Sequence, residues 1–511
     1  MLTWMWGQGL NFVRMMVIIE FLDKEGYGLW VFAFSIITYF VFYNFGLSNA
    51  LIKYTAEYHA KQEYKHLSHL LSTGLAVTLL LGVMVVTILW SFNEQAVAFF
   101  NVDLAHVPEA RFVILGVGLV TALTLSMEIY PAILVGIQRL DVKNYCRVGV
   151  MTIEFFCTIL FLYLGFGIRA LVVIYGGGLI ISTLLMAYFV YRYLPTLRLN
   201  PFLARWVCLK ELFKLGSAMQ FLGVVTLLVT QLDILLFMRY GGPAFVGAYG
   251  AAQRFAQRAQ GAALQGFGAL APASADLLAR EEYAKLAEVY GTAMRICGVG
   301  CAFLFSFMAF FPDHIMIFVM DDKFEGLSAS ALVWLSAGYF VHSLTGPGSS
   351  MLRGAGRPAR EITYLLITGA NFLVLYMVLG QRVSDEVMLA TWPAALLVGS
   401  AIFIMMANRH FRVAILLPLR GSFPLLIAAP LLAWVVRLGW DQVGFLPVLD
   451  RWYALIAVLI SGVLYTALYA IAALVLPGLT DGDKLQLARV VPGGVRMANH
   501  FGILKHKGQS E

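Results

Sequence analysis

Charge is what this sequence has least of. Only 13% of its 511 residues are Asp, Glu, Lys or Arg, about half the share of a soluble globular domain. A chain of this length cannot build a water-facing shell from so few charges. Cysteine is sparse as well, and the five residues (Cys146, Cys157, Cys208, Cys297, Cys301) are too scattered for a disulfide framework. Cys297 and Cys301 share a helix face, but two thiols without further ligands make a poor metal site. His59, His66 and His69 also lack a ligand pattern, and beside Lys and Glu on a polar turn they are expected to be solvated. No phosphate-cradling loop occurs. The glycine run "YGGGLIIS" (175–182) lies inside an apolar stretch and is not followed by Lys-Ser/Thr, so ATP hydrolysis by this chain is excluded.

Apolar runs fill the space that charge leaves. The sequence is 60% hydrophobic, with stretches such as "STGLAVTLLLGVMVVTILW" (72–90) and "LIAVLISGVLYTALYAIAALVL" (455–476). Each is long enough to cross a bilayer, which takes about 20 residues as a helix. Runs of that length exclude barrel strands, because a spanning segment must satisfy its own backbone. About fourteen such helices are expected, near 2–22, 29–52, 70–92, 109–136, 147–165, 169–191, 214–239, 244–271, 288–311, 327–351, 362–380, 387–408, 422–438 and 451–476. The first run has no basic leader or small-residue cleavage site and reads as a retained helix. The fold class is therefore an all-α polytopic membrane protein.

Basic residues orient the chain. One set of loops holds Lys53, Lys61, Lys65, Arg139, Lys143, Arg147, Arg192 to Lys214, Arg280, Lys285, Arg353 to Arg360, Arg409 to Arg420 and the basic tail. The other set holds about a third as many. The richer side faces the cytoplasm, which puts both termini there and explains the net charge of +7 without nucleic acid.

Sliding the chain by 219 lays Gly28–Leu67 on Gly247–Leu286 without a gap, and the octet "AKQEYKHL" (60–67) meets "AREEYAKL" (279–286). Sliding by 218 lays "LVGIQR" (134–139) on "LRGAGR" (352–357). Two matches at nearly one offset indicate duplication. Each copy holds six helices, so both insert in the same sense. This gives a six-helix lobe over 1–192, a cytoplasmic interfacial linker at 193–213, a second lobe over 214–421, two additional helices in 422–476 and a cytoplasmic tail, 477–511. The linker mixes Arg and Lys with Leu, Phe and Trp, a composition suited to the inner membrane surface.

With these elements in order, the sequence resembles the polysaccharide branch of the multidrug/oligosaccharidyl-lipid/polysaccharide exporter superfamily. "EGYG" entering the second helix, "VGAYGAA" entering the eighth, "QLDILLF" in the seventh, the paired octets and the "LVGIQR"/"LRGAGR" ends carry the resemblance, which spans the first twelve helices. It implies two six-helix bundles around a cavity that opens to alternate sides. The implied activity is export of a polyprenyl-pyrophosphate-linked oligosaccharide, with no catalysis, in the bacterial inner membrane. Implied partners are the lipid-linked substrate, membrane lipids and other polysaccharide-assembly proteins, with the chain itself a monomer.

The repeat also separates shared from specialised positions. Ser35, Thr38, Tyr39 and Val41 overlie Arg254, Gln257, Arg258 and Gln260. Arg254 and Arg258 share one helix face and, with Gln257, offer a cationic surface for pyrophosphate or an acidic sugar. A structural contact or snorkelling is the alternative. Arg14 overlies Asp233 and Glu20 overlies Arg239 with signs reversed. Arg14 and Asp233 are candidates to pair across a cleft, whereas Glu20 and Arg239 suit headgroups. Glu128 and Glu154 are candidates for coupling to H⁺ or Na⁺, or else hydrogen-bond to a neighbouring hydroxyl. Asn11, Gln220, Gln231, His342 and Asn371 read as helix–helix glue. Pro131 and Pro347 should kink their helices and are candidate hinges. No cofactor or metal is expected. Other readings are a drug exporter, a lipid II flippase and, less well, a membrane-embedded glycosyltransferase or polymerase, for which the loops near 93–108 and 312–326 are too short.

Overall fold

Long apolar runs with polar breaks become long helices joined by short turns. The structure is a computed structural model and describes residues 2–41, 47–99, 107–213, 229–320, 326–355, 357, 359–379, 383–413, 421–443 and 451–476. Gln220, the start of the seventh expected helix and the tail 477–511 lie outside them. Among the described residues there is no strand. Ten helices among the described residues are long and apolar enough to span a membrane, from Tyr64–Ser91 to Arg451–Val475. The first two expected helices of each copy are the ones not among these ten. Many spans turn large apolar side chains outward, including Leu80, Val83, Phe156, Leu184 and Val463, as a lipid-facing surface requires.

The chain divides into two compact units, Met1–Gly247 and Ala248–Glu511. The sequence places the lobe boundary at the 193–213 linker; by contacts, the residues up to Gly247 group with the first unit. That unit begins with α1 (Leu2–Phe21), α2 (Lys24–Val41), α3 (Leu47–Ala60) and α4 (Tyr64–Ser91). After the short α5 (Asn93–Phe99) come α6 (Val107–Met127), α7 (Ile129–Gly136), α8 (Leu140–Tyr163) and α9 (Gly167–Tyr193). Asp23 caps α2, its Oδ1 accepting the Gly26 N–H at 2.9 Å. Gly28, one turn on, cannot carry a side chain: a Cβ there would lie 1.6 Å from the Pro243 carbonyl oxygen. Pro243 belongs to α10 (Leu232–Leu264), which kinks at Gly242, φ 69°.

In the second unit α11 (Leu270–Ala279), α12 (Tyr283–Phe310) and α13 (Pro312–Met320) lead to α14 (Leu327–Ser343) and α15 (Thr345–Gly354). Then follow α16 (Ala359–Leu379), α17 (Asp385–His410) and the two added helices, α18 (Phe423–Val443) and α19 (Arg451–Val475). The added pair packs on α12 through Val299, Ala302, Leu425, Ala429, Tyr469 and Ala473.

The duplication is visible in atomic detail. At the first octet Gln62 takes φ 60° and at the second Glu281 takes φ 59°. Each follows a helix end closed by the same two bonds: Gln62 N to His59 O with Glu63 N to Tyr58 O, and Glu281 N to Leu278 O with Glu282 N to Leu277 O. This is the Schellman closure, which satisfies the last carbonyls of a helix. The ion pair Lys61–Glu57 is matched by Arg280–Asp276. Lys61 holds the exposed Glu57 carboxyl below its ordinary range, chiefly through their hydrogen bond. Gly136 packs against Ile52 and Thr55, and Gly354 packs against Ala271 and Ser274, residues in register under the same shifts.

A helix boundary lies just before each of the two prolines. Pro131 sits in the first turn of α7 and Pro347 in the first turn of α15. Residue i−4 from each, Met127 and Ser343, is the last of the preceding helix, because the proline ring clashes with that carbonyl.

The linker is docked on α4. Arg198 N donates to Ser68 Oγ, Asn200 N to Ser72 Oγ and Arg205 N to Thr73 Oγ1, at 2.9–3.1 Å. His69 Nδ1 lies 3.2 Å from the Leu203 carbonyl, while Tyr58 and His66 reach the Glu211 carboxylate at 2.5 and 3.3 Å. The expectation of merely solvated histidines is thus corrected, since His66 and His69 hold the linker. Among the described residues no His/Cys/Asp/Glu group has a metal-binding arrangement. Burial and then the bond to Glu211 push the Tyr58 phenol above its ordinary range, so it stays a donor. Phe202, Trp206 and Val207 remain exposed on the linker's outer side.

Candidate functional site

α1 carries one basic residue in its apolar middle, and α8 one acidic residue. The two helices pack together, which brings Arg14 Nη1 to 3.3 Å from Glu154 Oε2. Arg14 Nη2 also donates to Asn11 Oδ1 at 2.9 Å. The expected Arg14–Asp233 pairing is not made in this structure. Arg14 is committed to α8, and Asp233 is fully buried near the start of α10, accepting the Ile234 N–H at 2.9 Å. The shift that aligned Arg14 with Asp233 relates equivalent positions, and equivalence is not proximity.

Glu154 also explains the glycine run. A Cβ on Gly178 would lie 1.8 Å from Glu154 Oε1 and 2.6 Å from Cδ, so only glycine on α9 leaves room for the carboxylate. Tyr175 and Arg147 lie within electrostatic range of it. Glu128, in the turn between α6 and α7, is half-buried and sits in the field of Lys143 and the same Arg147. The two coupling candidates therefore belong to one tract of charge in the first unit. Glu154's pairing with an arginine, not a hydroxyl, is what the sequence missed.

On α10 the arginine strip lies in the second unit. Arg254, Gln257 and Arg258 are each half-buried. Gln257 Nε2 donates to Tyr339 Oη at 3.1 Å, and Tyr339 is stacked edge-on to His342. His342 Nδ1 lies 3.1 Å from Ser400 Oγ. A polar string thus leads from the α10 strip into α14 and α17, as expected of His342 as helix–helix glue. Ser35, the counterpart of Arg254, is buried and donates to the Val31 carbonyl one turn back. The side chains of Thr38, Tyr39 and Val41 lie outside what is described.

The polysaccharide biosynthesis protein family model matches residues 1–278, and the MatE model matches residues 220–379. No curated protein matches the sequence. Among solved structures, an inward-facing multidrug resistance MATE family transporter of the MOP superfamily aligns with TM-score 0.69 at 13% identity, covering 79% of this chain and 94% of that one. The lipid II flippase MurJ, in an inward closed conformation, aligns with TM-score 0.69 at 13% identity over 92% of this chain and 97% of its own. A MOP superfamily transporter from Pyrococcus furiosus, whose binding pocket has reversed polarity, gives TM-score 0.58 at 13% identity over 80% and 94%. At these identities the likeness is one of fold.

Proposed function

Because the chain belongs to the polysaccharide biosynthesis protein family, we propose that it flips a polyprenyl-pyrophosphate-linked oligosaccharide from the inner to the outer leaflet of a bacterial inner membrane by alternating access. The supporting observation is the strip of Arg254, Gln257 and Arg258, half-buried on a helix of a polytopic transporter fold. Charge held at bilayer depth is costly and is kept where it meets a ligand or partner. Arginine forks match phosphate oxygens, so the strip receives the pyrophosphate while the lipid tail stays in the bilayer. Arg14 and Asp233, in the first unit, are retained as separate candidates for substrate contact. H⁺ or Na⁺ coupling is assigned to Glu128 and Glu154, and Pro131 and Pro347 serve as hinges.

The MatE match over residues 220–379 favours a second reading, export of a small amphiphile. Both are tested in proteoliposomes. A fluorescent polyprenyl-pyrophosphate oligosaccharide, lipid II and a cationic drug are offered in turn, and appearance in the opposite leaflet or lumen is measured. The expected outcome is rapid flipping of the oligosaccharide lipid, lowered at least about tenfold in the Arg254→Ala/Arg258→Ala variant by the loss of two charge-assisted contacts. Preference for the drug, or oligosaccharide flipping no faster than in empty liposomes, would sink the first reading.

A further inference from the structure

The duplication leaves one groove filled and its counterpart open. In the first unit the linker covers the inner end of α4: Leu194 and Leu197 are buried in the core there, and Thr73 Oγ1 accepts the Arg205 N–H at 2.9 Å. In the second unit the matching surface of α12, 219 residues on, lines an open groove of about 450 Å³. Phe267, Lys285, Glu288, Thr292, Ala293 and Ile296 form it. Thr292 is the counterpart of Thr73, and Glu288 that of His69, which faces the Leu203 carbonyl.

The sequence contains a segment resembling the one that fills the first groove. The linker reads Leu194-Pro195-Thr196-Leu197, then five residues, then Leu203-Ala204-Arg205-Trp206-Val207. After the last helix the chain reads Leu476-Pro477-Gly478-Leu479, then seven residues, then Leu487-Ala488-Arg489-Val490-Val491. Reach is favourable. α19 runs antiparallel along α12, with Tyr465 Oη bonded to the Phe303 carbonyl and Tyr469 Oη to the Val299 carbonyl. That register brings Leu476, which packs on the same cluster, to the height of Ile296 and Thr292. The differences agree too. Ser68 and Ser72, which bond Arg198 and Asn200, are replaced by Ala287 and Gly291. It is there, between the two conserved phrases, that the tail departs from the linker.

We propose that residues 476–491 dock in this groove as the linker docks on α4, so that each unit is clasped at its inner end by a Leu-Pro-x-Leu…Leu-Ala-Arg-x-Val segment. Leu479 and Leu487 cover the apolar floor. Thr292 Oγ1, which already accepts from Arg295 Nη2 at 2.9 Å, accepts the Arg489 N–H as a second donor, and Glu288 takes the guanidinium.

Photo-cross-linking tests this in the full chain, with p-benzoylphenylalanine at Phe267, irradiation in membranes and mapping of the joined peptides by mass spectrometry. The expected product joins Phe267 to residues 479–491. It should fall about tenfold in the Leu479→Asp/Leu487→Asp variant, since burying a carboxylate costs at least that much. A phospholipid adduct, a dimer-sized product or attachment only to neighbouring helices overturns the proposal. A second readout avoids the bulky probe. A Gly266→Cys side chain meets no atom within 4 Å, and its maleimide labelling should accelerate about tenfold when the double Asp variant is introduced. Equal labelling rates overturn the proposal as well.

Discussion

At Glu154 the cost of burying a carboxylate is met by two neighbours of opposite kind: Arg14 supplies the charge at 3.3 Å and Gly178 supplies the space. Removing one member of a buried ion pair strands the other, at about 3–5 kcal/mol. Adding a methyl group at Gly178 should do nearly the same by expelling the carboxylate. Gly178→Ala is therefore expected to lower the melting temperature of the purified protein about as much as Arg14→Ala does. In a Glu154→Ala background the Gly178→Ala penalty should vanish, because the atom it strikes is gone. A penalty of equal size in both backgrounds would show that the glycine serves something other than Glu154.

The two copies agree at helix ends and crossings, in the stretches whose repetition is legible in the sequence. Gly136 and Gly354 sit at equivalent crossings, yet their neighbours differ in compliance. A Cβ on Gly354 would meet the Ala271 backbone oxygen at 2.0 Å, whereas at Gly136 the first atoms met belong to the Thr55 side chain at 2.6 Å. Both Gly→Ala variants should be destabilised by about 1–3 kcal/mol, Gly354→Ala more than Gly136→Ala, as thermal unfolding in detergent will show. At the octets, Gln62→Val and Glu281→Val should each cost about 1–2 kcal/mol, because a left-handed backbone at φ near 60° opposes a β-branched side chain. Gln62→Gly should cost nothing, and a loss equal to that of Gln62→Val would contradict this account. The repetition of these stretches was readable, though not the turn or crossing each one makes, because such features constrain residue type locally and duplicates keep it. The Arg14–Glu154 pair was not, since its partners lie 140 positions apart and meet only through the packing order of α1 and α8. The linker's composition indicated a membrane surface, but the hydroxyls of α4 that hold its backbone carry no mark in the sequence distinguishing them from ordinary helix serines and threonines.

At the scale of the whole molecule, transport requires that binding at one place bias a conformational equilibrium elsewhere. The first unit holds a connected field of charge, Arg14, Glu154, Arg147, Lys143 and Glu128. The second holds the arginine strip of α10, tied through Gln257 and Tyr339 to the neighbourhood of His342. If coupling resides in the first field and recognition in the second strip, the two are separable by mutation. Glu154→Gln should retain exchange of labelled for unlabelled substrate across proteoliposomes with no ion gradient, because the strip is intact. The same variant should lose gradient-driven accumulation, because a neutral amide can neither take up and release a proton nor hold a cation beside Arg14. Arg254→Ala/Arg258→Ala should lose both, and Glu128→Gln should resemble Glu154→Gln. Unimpaired accumulation by Glu154→Gln would remove the ion pair from the coupling step and leave it as a packing device between α1 and α8.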